Sequence, residues 1–509
     1  MPFNGMSSPR TRRVRGLPVL AVAAALLAAA CGAPGPAAPP AAGPVGNPGD
    51  RPNIVYVLTD DLATNLLPYL PHVQALAKAG ASFGNYTVTD SLCCPSRSSI
   101  LSGKFPHDTG VFTNSGSDGG FTAFHDKGGE KDTVATSLQQ AGYRTAMMGK
   151  YLNGYQPGMK LDGQENYVPP GWNEWDVAGN GYPQYDYDLN ENHKVVHYGS
   201  KPQDYLNSVL TGKATGFINS SAQARAPFFL ELASFTPHSP YTPAPQDTDL
   251  FPGLKAPRTP AYDKVPANAP PWLAAQPPLS ENEQQRIDES FRKRAQAVQS
   301  VDRMIGALQD TLTKAGVADH TYLVFTSDNG YHMGEYRLGP GKQTAFDTDV
   351  RVPLIAAGPG IPAGRTVAEP AENIDLRPTF AELAAAGTPS DVDGRSLAPL
   401  LRGQPAPDWR TAALVEHHGP NTAPDDPDRQ GKKNGNPPTY NALRTAAYTY
   451  VEYVDGGKEY YDRRTDPDQL DNRVGRLPAE TLAKLHDALR AMTECHGRDA
   501  CWAASHAAP

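Results

Sequence analysis

Cys93, Pro95 and Arg97 alternate in Ser91-Leu92-Cys93-Cys94-Pro95-Ser96-Arg97, directly before Ser98-Ser99-Ile100-Leu101-Ser102-Gly103. Proline suits a first helical turn, and the unpaired amides of such a turn favour a nearby anion. Arg97 adds a permanent positive charge. A buried cysteine pair, or a disulfide between the two neighbours, at the head of an ordinary helix fits the same residues. Elsewhere, Asp60-Asp61 ends the apolar run Asn53–Thr59, and Ser327-Asp328-Asn329 follows the apolar run Tyr322–Thr326. An isolated Asp-Asp can be a turn with two solvated acids, but the recurrence of the design favours a metal. Oxygen donors without imidazole or thiolate suit calcium or magnesium better than zinc, and three carboxylates drawn together would repel one another without a cation.

These residues need strands to carry them to one place. Asn53–Thr59 is apolar throughout, as expected of a strand buried on both faces. Tyr322–Thr326, Pro227–Ala233 (before Thr236-Pro237-His238) and Arg144–Met148 (before Gly149-Lys150) repeat the pattern. Helical stretches lie between them, so a largely parallel sheet flanked by helices is expected, with ligands at the carboxyl ends of its strands. The clearest helix runs from Glu281 to Ala315. Ile287, Phe291, Val298, Val301, Ile305, Leu308 and Leu312 keep helical spacing, Ser280 and Glu283 form a capping box, and Gly316 ends it. Its Arg292-Lys293-Arg294 run reads as a solvated face and the helix as scaffold. Val352–Ala357 extends the sheet, and a further helix opens at Asp375. Gly403, Pro405 and Pro407 mark a boundary, beyond which strands at Ala412–Glu416, Tyr448–Tyr453 and Glu459–Asp462 and a helix from Ala479 to Met492 make a small subdomain.

The chain has 509 residues and a net charge of −8, so no broad basic surface argues for nucleic acid. An anionic substrate stays open, because a few cations focused in a cleft govern local binding. Fifty prolines imply long, stiffened loops. Arg10, Arg12, Arg13 and Arg15 precede an apolar run from Val19 to Ala30, an export signal too short to cross a bilayer comfortably. Leu27-Ala28-Ala29-Ala30-Cys31 resembles a bacterial lipobox, which implies acylation of Cys31 and a lipid anchor; an Ala-x-Ala cut and simple secretion is the other reading. Residues 32–50, rich in alanine, glycine and proline, form a linker. The organisation is thus leader 1–31, linker 32–50, catalytic domain 51–408 and C-terminal subdomain 409–509. Cys495 and Cys501 would close a short loop in an oxidising compartment.

Cys93-x-Pro95-x-Arg97 followed by Ser-Ile-Leu-Ser-Gly resembles the signature of the sulfatase family, within the alkaline phosphatase superfamily. The resemblance runs from Arg51 to Leu401 and continues more weakly through Tyr460-Tyr461-Asp462 and Thr465-Asp466-Pro467. It implies an alkaline-phosphatase-like α/β three-layer sandwich with a mostly parallel central sheet, and a small C-terminal α+β subdomain. It implies that a formylglycine-generating enzyme oxidises Cys93 to formylglycine (3-oxoalanine). Asp60, Asp61, Asp328 and Asn329 then match calcium ligands, with magnesium as the alternative, and an oxygen of residue 93 completes the shell. The hydrated aldehyde supplies one hydroxyl to attack sulfur and a second to expel sulfate. Arg97, Lys150 and Lys342 match the family's cations, and His238 matches the histidine that binds sulfate and assists the leaving oxygen.

Many sulfatases carry a histidine two residues after the lysine matched by Lys150; Lys150-Tyr151-Leu152-Asn153 has none, which leaves the proton acceptor for sulfate expulsion unassigned. His332 is a candidate for substrate contact, against the plainer reading of a structural or exposed histidine. Leu92–Arg97, Gly149–Asn153, Ser290–Arg294 and Ser327–His332 are most similar to the sulfatases acting on 6-sulfated N-acetylglucosamine. The expectation is an exported hydrolase of sulfate monoesters on small molecules or glycans. A phosphonate or phosphate ester hydrolase of the same superfamily is the enzymatic alternative. A surface lipoprotein that binds sulfated glycans without cleaving them is the other.

Overall fold

The computed structural model describes residues 51–431 and 433–506; the export signal, Cys31 and the 32–50 linker lie outside them. The main sheet consists of β1 (Asn53–Thr59), β2 (Ala81–Phe83), β3 (Arg144–Lys150), β4 (Glu174–Ala178), β5 (Tyr187–Glu191), β6 (Lys194–Tyr198), β7 (Phe228–Ala233), β8 (Thr321–Ser327), β9 (Leu354–Ala357) and β10 (Arg365–Val367). Their order is β10-β2-β9-β8-β1-β7-β3-β4-β5-β6. The centre, β8-β1-β7-β3-β4, is parallel, whereas β9, β5 and β6 join antiparallel.

Why β1 is apolar at every position is visible in its packing. Ile54, Tyr56 and Leu58 enter one core layer, and Val55 and Val57 enter the other. On one face lies α1 (Cys93–Ser102), every residue of which is buried. On the other lie α2 (Leu206–Gln223) and α3 (Glu281–Lys314), whose Ile287, Phe291, Val298, Val301, Ile305, Leu308 and Leu312 form its buried stripe. The expected capping box of Ser280 and Glu283 starts α3.

Register brings the strand ends level. Thr59 of β1 pairs with Ser327 of β8, Leu58 with Ala233 of β7, and Ala233 in turn with Gly149 of β3. Asp60-Asp61, Asp328-Asn329, Lys150 and the segment leading to His238 therefore emerge at one edge. Gly149 allows this close approach: at φ 103° it lies in a region that favours glycine, and a Cβ there would meet the Ala233 carbonyl oxygen at 1.9 Å.

A second, antiparallel sheet joins β11 (Ala412–His417), β12 (Tyr440–Thr445), β13 (Tyr448–Tyr453) and β14 (Lys458–Asp462) in sequence order. The helix α4 (Ala479–Thr493) covers it with Leu485, Ala488, Leu489 and Met492. Cys495 and Cys501 are disulfide-bonded just beyond this helix.

His107 ties this sheet to the segment that follows α1. Its Nδ1 lies 2.8 Å from Glu416 Oε2 and its Nε2 2.8 Å from the Cys495 carbonyl. Burial opposes its charge, but the hydrogen bond and charge of Glu416 outweigh that and raise it to about 9. A raised histidine stabilises the fold fully below its unfolded pKa of about 6.5, and the gain is lost as pH climbs through the folded value. Thermal unfolding is accordingly expected to show a fall in Tm between neutral pH and pH about 10. His107→Gln should remove most of that slope; an unchanged slope would discard the assignment.

Candidate active site

Cys93 opens α1 with its side chain fully buried. The thiol donates to Asp60 Oδ1 at 3.1 Å and lies 3.6 Å from Asn329 Oδ1, while Lys342 Nζ donates to its sulfur at 2.9 Å. Cys93 and Cys94 are both free thiols, so the disulfide between neighbours does not form. Burial and the surrounding carboxylates push the Cys93 thiol well above its ordinary pKa.

Ligand atoms of Asp60, Asp61, Asp328 and Cys93 all lie within 4.8 Å of one another. Asp61 occupies the left-handed region at φ 66°, which aspartate tolerates better than most residues. Its N–H donates to Asp328 Oδ1 at 3.2 Å, and Asn329 Nδ2 donates to Asp61 Oδ1 at 2.7 Å. Three carboxylates and an amide oxygen, all buried, fit a hard divalent cation such as calcium. Burial pushes Asp60 up, with Lys150 opposing and Asp328 adding to the rise. Asp328 goes the other way: burial resists, but Arg97, Lys150 and Lys342 outweigh it.

The cations form a second tier. Arg97 Nε donates to Asp328 Oδ2 at 2.8 Å and its Nη1 to the Lys150 carbonyl at 3.0 Å. Lys150 Nζ donates to Asp60 Oδ2 at 2.7 Å, and Lys342 Nζ to Asp61 Oδ1 at 2.6 Å. Both lysines are raised well above the ordinary value, because the neighbouring carboxylates overcome burial. His238 Nδ1 lies 2.7 Å from the Ser239 carbonyl and Nε2 lies 2.8 Å from Asp428 Oδ1. Both partners are acceptors, a setting that a doubly protonated ring satisfies. Burial lowers the His238 pKa, but Asp61 and Asp428 more than compensate.

All nine of the sequence's catalytic and metal candidates thus meet at one edge: Asp60, Asp61, Cys93, Arg97, Lys150, His238, Asp328, Asn329 and Lys342. His332 has a different place. It is buried, with Nδ1 against both oxygens of Asp349 at 2.9 and 3.0 Å and Nε2 3.0 Å from the Asn434 carbonyl. Both ring nitrogens are engaged, so it braces the loop after β8 and offers neither nitrogen to a ligand. Arg294 requires a correction. It is buried rather than solvated, donates to the carbonyls of Asp61 and Pro237, and lies over the rings of Tyr331 and Tyr241. The helix that reads as scaffold therefore also clamps the metal turn, because the backbone carbonyl of Asp61 needs a buried donor.

Sequence reasoning misses Asp428, Asn114 and Tyr182. Asp428 is buried in the loop between β11 and β12, 2.7 Å from Lys342 Nζ as well as against His238. Lys342 and His238 outweigh burial and hold it well below the ordinary carboxylate range. Asn114 donates to Asp428 Oδ2 at 2.8 Å and accepts from the Cys94 N–H at 3.0 Å. The Tyr182 ring packs on His238 and carries Lys150 Nζ 5.0 Å from its centroid. Asp428 stands in the proline- and aspartate-rich run Pro424-Asp425-Asp426-Pro427-Asp428, which carries no local signal beyond that of a polar loop.

The Sulfatase family matches residues 52–386. The chain belongs to the sulfatase family. The family of the N-sulphoglucosamine sulphohydrolase C-terminal region matches residues 334–494, the part containing the antiparallel sheet. Human N-acetylglucosamine-6-sulfatase is 33% identical over 474 residues, covering 88% of this chain and 85% of its own. A SULF-1 extracellular sulfatase homolog of Drosophila melanogaster is 37% identical over 381 residues, 72% of this chain, and the match spans only 33% of that longer protein. In fold, the sulfatase is similar to a protein solved with D-glucosamine-2-N,6-O-disulfate, with a TM-score of 0.73 and 24% identity, covering 86% of this chain and 97% of the other. It is thus a sulfuric ester hydrolase with an alkaline-phosphatase-like core and a C-terminal antiparallel subdomain.

Proposed function

We propose that this sulfatase cleaves sulfate monoesters of sugars, 6-sulfated N-acetylglucosamine among them, with Cys93 as the modified residue and calcium as its metal. The observation that carries the reading is the placement of Cys93, within hydrogen-bond reach of both Asp60 and Lys342 at the edge where the metal donors gather. Asp60, Asp61, Asp328 and Asn329 would hold the ion, which supplies positive charge that lowers the pKa of an attacking hydroxyl. Oxidation of Cys93 to formylglycine would give an aldehyde, and addition of water across its C=O would supply that hydroxyl and a second one. Lys150, Lys342 and Arg97 offer fixed cations to the charge developing on the sulfate oxygens, with no reorganisation needed at the moment of reaction. His238 would hand its Nε2 proton to the departing sugar oxygen once substrate displaces Asp428, which holds that nitrogen at 2.8 Å.

The relatives' names support a sugar sulfate, and the leader-like N-terminus together with the extracellular relatives supports export. Acylation of Cys31 and a break between catalytic domain and subdomain near residue 408 belong to the same reading. Mass spectrometry of the peptide containing Cys93, together with turnover of an aryl sulfate and a phosphonate monoester by the same preparation, tests the function. Conversion at Cys93 with faster sulfate release is expected; faster phosphonate hydrolysis would favour the rival chemistry.

Asp428 provides a further check on the sulfate seat. Lys342 Nζ is surrounded by Asp61 at 2.6 Å, Asp428 at 2.7 Å and Cys93 Sγ at 2.9 Å. A sulfate oxygen must displace one of these, and Asp428 is the one outside the metal set and the modified residue. The carboxylate therefore competes with sulfate, and the apparent affinity of a ligand falls in proportion to how rarely the seat is free. Calorimetry is expected to show Asp428→Asn binding inorganic sulfate at least about tenfold tighter than the wild type, a change of about 1.4 kcal/mol. Equal or weaker binding would remove Asp428 from the seat.

A further inference from the structure

Next to the sulfate seat lies a cavity of about 630 Å³. Its wall is shared with the site through Asn114, which bridges Cys94 and Asp428, and through Tyr182, which packs on His238. Four side-chain amides line it: Asn114, Asn153, Gln156 and Asn180. Gln156 and Asn180 are exposed and have no side-chain partner among the described residues. Asn153 is only 9% exposed, yet its Oδ1 accepts no hydrogen bond. Unused amide donors and acceptors match the hydroxyl and acetamido groups of a sugar, and a buried acceptor without a partner is costly until a ligand supplies one.

Charge narrows the choice of sugar. No described residue lining the cavity is cationic, and Asp425 and Asp426 add carboxylates to it. Asp426 is held by Asn114 and Asn421 at 3.0 and 2.8 Å, whereas Asp425 is exposed and forms no ion pair among the described residues. The cations nearby belong to the seat, where Arg97, Lys150 and Lys342 pair with Asp328, Asp60 and Asp61. A second anion on the sugar would meet carboxylates that have no counter-ion among the described residues, the kind of repulsive element by which a site rejects a near-identical ligand.

We propose that this cavity receives the sugar bearing the ester, and that Asp425 and Asp426 make it selective for an amino sugar whose nitrogen is acetylated or free over one carrying an N-sulfate. This rests on the sulfate seat assigned above. The test uses calcium-loaded Cys93→Ala protein, which binds intact esters without turning them over. Calorimetry compares N-acetylglucosamine 6-sulfate, glucosamine 6-sulfate and glucosamine N,6-disulfate at low and high salt.

The disulfate is expected to bind at least tenfold more weakly than either monosulfate. That gap should shrink severalfold in roughly 0.5 M salt or with Asp425→Lys, whose exposed position poses little risk to folding. Equal or tighter binding of the disulfate overturns the proposal, as does a gap that neither salt nor Asp425→Lys moves, since shape would then be the cause. Absence of binding by all three sugars overturns it too. In that case aryl sulfate turnover by the wild-type enzyme, measured separately, shows whether the sulfatase reading of this edge survives.

Discussion

Cys93→Ala protein is expected to fold and to release sulfate from no ester, a loss of roughly 10⁴-fold or more, as for removal of a nucleophile elsewhere. Position 93 is buried at the start of α1, and alanine fits any helical position without adding volume. What disappears is a side chain that hydrogen-bonds both Asp60 and Lys342. Serine at this position would keep the sulfate as an ester, having no second hydroxyl on the same carbon to expel it, so Cys93→Ser should not rescue turnover. Circular dichroism and thermal unfolding establish the fold, and sulfate release from an aryl ester gives the rate. Folded Cys93→Ala protein that retains activity would place the nucleophile elsewhere.

Removal of the divalent ion should also cost activity, and here stability falls with it. Ligand atoms of Asp60, Asp61 and Asp328 lie buried within 4.8 Å of one another, so their charges repel unless cations join them. Lys150, Lys342 and Arg97 relieve part of that repulsion, so the chelated protein is expected to remain folded with a lower Tm. Returning calcium at about 100 times its Kd should restore about 2.7 kcal/mol of stability. Treatment with a chelator is expected to lower kcat/KM at least about 100-fold, reversibly, as expected when a Lewis acid stabilising the reacting oxygen is lost. Asp328→Ala should bind calcium more weakly in calorimetry. A Tm indifferent to calcium would show that the three acids are held by the lysines and arginine alone.

Both outcomes concern residues whose roles are legible in the order of amino acids. β1 and β8 stand out as unbroken apolar runs because both of their faces are buried, and the acids that end them lie where a parallel sheet presents ligands. α3 is readable from its stripe and capping box. β12 is not, because its Arg444 looks like a surface residue. In the fold that side chain is buried, with Asp347 accepting its Nε and Nη2 hydrogens at 2.8 and 3.0 Å. Arg294 misleads for the same reason: a sequence shows that a residue is charged but not that a distant carbonyl will satisfy it.

The apolar runs and their acidic ends mark the oxygen donors, and the resemblance to the sulfatase signature adds Cys93, the three cations and the class of reaction. Most of those residues sit at strand or helix ends, where apolar runs and turn chemistry give their position away, whereas Arg97 lies within α1 and Lys342 in the loop after β8. Which loop closes the site is settled by long-range packing. Asp428 reaches His238 across 190 residues of sequence, and no periodicity encodes a contact made by an irregular loop. The same holds for His332, whose ring is engaged by Asp349 and Asn434, and for the cavity, whose described lining holds four amides and no cation. Its character comes from segments that share no pattern and meet only when the sheet and the C-terminal loop are both in place.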